Sequence, residues 1–183
     1  MSNNTQLEEM FVFYKMVFGF EVNMSSVVLP MEHKDFDWLL LVPANMTIGV
    51  SWDKCEERLR CGSNFGEMDV TISRNARDPK KIGTYAIRLR SCIDADEECV
   101  GTSFLSTPRP RKASITLLER ILLELWYNWK NGGRLDIKNG TICLGSCTRA
   151  GIVPSAGWPD YNTFSVYSTS GASLFTRKVK VAS

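Results

Sequence analysis

Thiols are the most reactive groups in this chain, and their spacing limits the chemistry open to them. Six cysteines stand at 55, 61, 92, 99, 143 and 147, three pairs close in sequence. None has the two-residue spacing of a zinc knuckle and His33 is the only imidazole, so neither a metal site nor another cofactor is expected. A nucleophilic thiol needs a lowered pKa, and no histidine lies near Cys143 or Cys147 to supply one. Free, partly buried thiols are the expectation in a reducing compartment; in an oxidising one the pairing is open. The acidic cluster of Asp94, Asp96, Glu97 and Glu98 lacks the alternating oxygen ligands and central glycine of a calcium loop and reads as a solvated turn.

Where reactive groups thin out, composition carries the signal. Residues 139–177 contain no Lys, Glu, Gln or Met, although these types make up 29 of the 183 residues. Roughly six would be expected in such a window. What remains is Ser, Thr, Gly, Ala, Asn, Asp and Tyr on an aromatic frame of Trp158, Phe164, Tyr167 and Phe175. Tyr supplies amphipathic contact area with few torsions to freeze, and small polar residues supply adaptable hydrogen bonds, which is the palette of a binding face. Gly- and Ser-rich turns joining short strands are the plainer reading of the same composition.

These residues need elements to hold them. The apolar alternation around 163–168 predicts a strand with Phe164 and Val166 buried and Ser165 and Tyr167 on the opposite face. Short strands are also predicted at 142–145, 152–154 and 175–181. The clearest helix begins at Thr116, with Glu119 three residues on as a capping box, and ends at Gly132 and Gly133. A second spans 6–18, closed by Gly19. Trp38–Val42 reads as a strand with 48–52 as its hairpin partner, followed by a short helix over 53–60 capped by Asp53. Residues 85–90 alternate as a half-buried strand, with Arg88 and Arg90 on its polar face.

An ordered series of short motifs over the later part of the chain resembles a family. ITLLERILLEL at 115–125, RLDI at 134–137, TICLGS at 141–146, Val153-Pro154, Trp158, FSV at 164–166 and TRKV at 176–179 are similar to the variable proteins of diversity-generating retroelements of archaea, candidate-phylum bacteria and their viruses. The resemblance covers 74–183; residues 1–73 match no pattern. It implies an α+β chain with a C-type lectin fold at 74–183: two main helices, short antiparallel strands, an irregular C-terminal half and a variable region at about 145–176. Residues 1–73 would be an N-terminal embellishment packed on that core.

In such proteins, error-prone reverse transcription at adenine-rich codons diversifies a binding surface, and an AAC or AAT codon mutated only at its adenines cannot yield Lys, Glu, Gln, Met or Trp. The implied diversified positions are Cys147, Ser155, Gly157, Asp160, Tyr161, Asn162, Ser165, Tyr167, Thr169, Ser170, Ala172 and Ser173, with Trp158 in the invariant frame. This chain departs from the family where an Asp-Gly often precedes the Val-Pro and where a second Trp is here Tyr167. The fold further implies that the strand at 85–90 pairs with the C-terminal strand and that the 116–131 helix packs on the sheet. Direct opposition of Arg88 and Arg90 with Lys178 and Lys180 would then be unfavourable, so a staggered register or relief from the acidic turn is expected.

The implied function is non-catalytic recognition of a protein or glycan. Two other readings are kept: an oxidase of the formylglycine-generating type, which uses a cysteine pair on the same fold, and a structural virion or scaffold protein without a diversified site. A net charge of +2 offers no case for nucleic acid or an anionic membrane as partner, and the RPRK run at 109–112 reads as a solvated loop. The apolar stretch at 10–22 is broken by Lys15 and Glu21, so neither a membrane span nor a signal peptide is expected. Cytoplasmic synthesis follows, with a virion surface as a place of display. The sequons at Asn3, Asn23, Asn45 and Asn139 then have no secretory context.

Overall fold

Helix α1, Asn3–Phe18, buries Met10, Phe13, Tyr14 and Val17, the spacing of one helical face. The Tyr14 hydroxyl donates to Leu41 O at 2.5 Å, which seats the helix on β1, Trp38–Val42. The structure, a computed structural model, describes residues 3–25, 27–95, 97–98, 110–168 and 175–182.

The expected hairpin after β1 is not formed. Residues 48–52 open helix α2, Ile48–Arg58, so its start is Thr47 rather than Asp53. Thr47 accepts from Val50 N, and the Asp69 carboxylate accepts from Ile48 N and Gly49 N, leaving few first-turn donors unpaired. The buried residues Ile48, Ser51, Trp52 and Cys55 repeat with the helical period, which outweighs the short apolar run.

Strand β2 is Cys61–Ser63, helix α3 Met68–Thr71, strand β3 Arg74–Asn75 and helix α4 Pro79–Ile82. Strand β4, Tyr85–Leu89, lies centrally between β1 and β11, Lys180–Val181, all antiparallel. The predicted pairing with the C-terminal strand is present, but two details differ. Arg88 is buried, not on a solvated face, because its guanidinium donates to the Pro30 and Phe36 carbonyls at 3.2 and 3.3 Å. Lys180 stands directly opposite Arg88 rather than staggered, and its ammonium lies 5.4 Å from the Phe36 ring centroid.

Helix α5, Leu117–Asn131, has the predicted capping box, and it ends at Gly132 in a left-handed conformation with φ 64°. Glu119 does more than cap: it pairs through both oxygens with Arg77 at 2.5 and 2.8 Å and accepts from Tyr85, tying the helix start to β4. Helix α5 packs on β1, on α2 and on β8, Pro154–Gly157.

A six-stranded sheet carries the C-terminal half. With β5 at Glu97–Glu98, β6 at Thr141–Ile142, β9 at Phe164–Ser168 and β10 at Phe175–Thr176, its order is β2-β9-β8-β6-β10-β5. The strands were expected to be antiparallel, yet β2 runs parallel to β9 and β6 parallel to β10. Glu97 and Glu98 form a strand against β10 rather than a solvated turn. Strand β7, Ser146–Cys147, pairs with β3. Residues before 73 thus supply β1 to one sheet and β2 to the other, and one apolar core runs from Met10 to Val179. The class is α+β. Among the described residues no helix is long and apolar enough to cross a membrane.

Candidate functional site

The β8–β9 hairpin holds most of the expected site residues, and its register decides which are free. Gly157 faces Ser165 and Ser155 faces Tyr167, while Ala156 faces Val166 on the other side of the sheet. That inner side is core: Ala156, Phe164 and Val166 are wholly buried. Ser165 and Tyr167 lie on the outer side and are half-buried, as the strand period predicts, and Ser168 is exposed.

Before β9 the chain turns through Trp158 and Asp160. The Asp160 carboxylate accepts from Asn162 N at 3.0 Å and Thr163 N at 2.7 Å, and these bonds hold its pKa below the ordinary carboxylate value. Tyr161 takes a positive φ of 59° and is 64% exposed; Asn162 is exposed beside it. Arg134 holds the turn from below, donating to Tyr161 O while its guanidinium carbon lies 4.4 Å from the Trp158 ring centroid.

Trp158 itself is frame. It is 2% exposed, packs on Phe164 at 5.6 Å and donates to Glu124 at 3.1 Å. Glu124 belongs to a buried ionic cluster in which Arg120 bonds Glu124 at 2.7 Å and Asp136 at 2.6 Å, and Arg177 bonds Asp136 at 2.7 Å. Burial raises the Glu124 carboxyl above its ordinary value. Burial also acts on Asp136, but there Arg120 and Arg177 outweigh it and hold the carboxyl below its ordinary value. The site therefore rests on a floor tying α5 to the chain end at Arg177.

Three expected positions are not available at the surface. Cys147 is buried with Ile142, Leu144 and Val153 in a small second core. Ser155 is 2% exposed, on the central strand β8 between Ile142 of β6 and Tyr167 of β9. Gly157 is also buried, and a side-chain carbon there would stand 2.8 Å from Gly140 Cα. Thr169, Ser170, Ala172 and Ser173 lie outside the described residues. What the hairpin leaves at least partly exposed is Asp160, Tyr161, Asn162, Ser165 and Tyr167; Ser168, exposed at the strand's end, alternates onto the side of Phe164 and Val166.

Sequence reasoning missed the groups that hold this row from outside. Asn64, just beyond β2, accepts from Ser168 N at 3.1 Å and donates to Ser168 Oγ at 3.3 Å, across 104 residues of chain. Gly62 pairs with Ser165 and puts no side chain over it. Nothing local marks either residue, whereas Arg134 lay inside a motif already singled out.

Thiol chemistry finds little support in the pair at 143 and 147. Both are buried, and burial pushes both thiols up, away from the thiolate form that attack or soft-metal binding requires. Among the described residues no group of three or more His, Cys, Asp or Glu is placed to hold a metal ion. No family model, curated protein or solved structure matches the chain.

Proposed function

We propose that this chain is a ligand-recognition protein of the retroelement variable-protein kind, with a C-type lectin fold and a diversified surface that binds a protein or glycan without catalysis. The observation that carries the reading is a coincidence of composition and exposure. The window free of Lys, Glu, Gln and Met contains the outward row of Tyr161, Asn162, Ser165 and Tyr167, while Trp158, which adenine mutation of AAC or AAT codons cannot produce, lies buried beneath it. Closure of the chain by β11 on β4, with α5 packed on both large sheets, supports the lectin-type frame. The row is polar and aromatic, suited to recognition that changes partner.

A library in which Tyr161, Asn162, Ser165 and Tyr167 are encoded by AAC codons randomised at their adenines tests this. Most members should keep cooperative unfolding and the library should yield binders to an arbitrary folded protein target, whereas the same randomisation at Cys147, Ser155 and Gly157 should unfold most members. Equal tolerance at the two sets, or loss of folding in the first, overturns the reading. A reverse-transcriptase gene beside this one, with a template repeat of the C-terminal segment, is the matching genomic expectation.

A further inference from the structure

Cys143 and Cys147 sit in different apolar cores and Cys99 lies outside the described residues, but Cys55 and Cys61 share one core. Cys55 stands in the last turn of α2 and is wholly buried; Cys61 opens β2 and is partly exposed. Between them the helix stops at Leu59, in extended backbone with φ −129° and ψ 157°. Two further contacts fix where Cys61 comes to rest. It pairs with Phe164 of β9, and the Phe164 ring lies 6.1 Å from that of Trp52, three residues before Cys55 on the buried face of α2. Cys61 is thereby brought within hydrogen-bonding reach of the Cys55 thiol.

We propose that Cys55 and Cys61 are a redox pair: free thiols in this structure, they close to a disulfide under oxidising conditions and staple the end of α2 to β2. The oxidant is a small disulfide of the glutathione class. Cys61, the accessible member, attacks one of its sulfurs as the thiolate, and one glutathione leaves; Cys55 then gives up its proton and attacks Cys61 Sγ, expelling the second. Two protein thiols are oxidised, one small disulfide is reduced to two thiols, and the two departing thiolates take up the two protons released. Burial, and then the neighbouring Cys61, hold the Cys55 thiol well above its ordinary value, so Cys61 is the point of entry and Cys55 the slow resolving group. Closure brings the sulfurs from contact to about 2.05 Å, a movement that a helix end and an edge strand can absorb. The staple acts next to the candidate site, because β2 lies along β9 with Gly62 opposite Ser165. It holds whether or not that face is diversified.

Equilibration of the full chain in glutathione buffers of graded redox ratio, followed by acid quenching, alkylation and peptide mapping, tests the proposal. In the oxidised buffers Cys55 and Cys61 should be recovered as one cross-linked peptide, and dithiothreitol should restore both thiols. The urea midpoint of the oxidised chain should lie about 0.5–1 M higher, the order expected for closing so short a loop. Cys55→Ala should stall the reaction at a glutathione adduct on Cys61. Cys61→Ser, at a partly exposed site that tolerates the change, should abolish both the cross-link and the rise in midpoint, and it carries the test if Cys55→Ala unfolds. Recovery of both residues as free thiols from the most oxidised buffer, or a cross-link from either to another cysteine, overturns the proposal. So does an oxidised midpoint that Cys61→Ser leaves equally raised.

Discussion

Neighbouring residues in this hairpin differ more in their surroundings than in their chemistry. Trp158→Ala should cost about 3–5 kcal/mol, because the indole is packed on Phe164 and bonded to Glu124, while Tyr161→Ala should stay within about 0.5 kcal/mol. Urea unfolding of the two variants checks the contrast, and similar costs would mean the frame and the display are not separate. Gly157→Ala should cost about 1–3 kcal/mol despite adding one methyl, since the new carbon meets backbone at Gly140 that cannot rotate aside. The outward face of β9 was legible from its alternation, and that much holds for Ser165 and Tyr167. The burial of Ser155 was not, because the place of β8 between β6 and β9 is a strand pairing that local pattern does not encode. Thiol substitution belongs at this scale too: Cys143→Ser and Cys147→Ser should lower stability through packing yet leave ligand binding unchanged, read by unfolding and binding side by side.

Between elements, the buried ionic cluster is the joint. Asp136 takes bonds from Arg120 and Arg177, so Asp136→Asn should cost about 3–5 kcal/mol by leaving two buried cations underpaired. The pH dependence has a definite sign. The depressed Asp136 carboxyl contributes stability that is present above its unfolded value of about 3.9 and is lost as pH falls through the lower folded value. Glu124 is raised and acts oppositely: its contribution is complete below an unfolded value of about 4.3 and is lost as pH rises through the folded one. Urea midpoints followed downward from pH 5 should therefore fall below about pH 4, and that acid limb should flatten in Asp136→Asn. An unchanged acid limb in the variant would remove Asp136 from the account. Helices α1 and α5 were readable because caps and helical spacing agree; α2 was misread at its start because Ile48 and Trp52 fit a short strand until Ser51 and Cys55 are counted with them.

At the scale of the molecule, the two parts of the sequence share their sheets. Strand β1 covers β4 and β2 covers β9, so a fragment of 74–183 would bare an edge of each sheet and lose part of the core. That fragment should fail to unfold cooperatively, whereas the full chain should show one transition by circular dichroism and by tryptophan fluorescence together. A cooperative fragment with undiminished denaturant dependence would show the first 73 residues to be an addition. Class and the main helices were legible in the sequence; the parallel contacts of β2 with β9 and of β6 with β10 were not, since no short-range signal specifies a partner so far along the chain.

The bond from Asn64 to Ser168 also orders events in time. During synthesis the segment that ends in Asn64 leaves the ribosome about a hundred residues before the strand it will hold, at some 5–20 residues per second. For that interval of several seconds β2 keeps a bare edge, and its brevity and its Cys-Gly-Ser composition make it a poor seed for aggregation. Strand β9 thus arrives late, after the segment that will hold it has already left the ribosome.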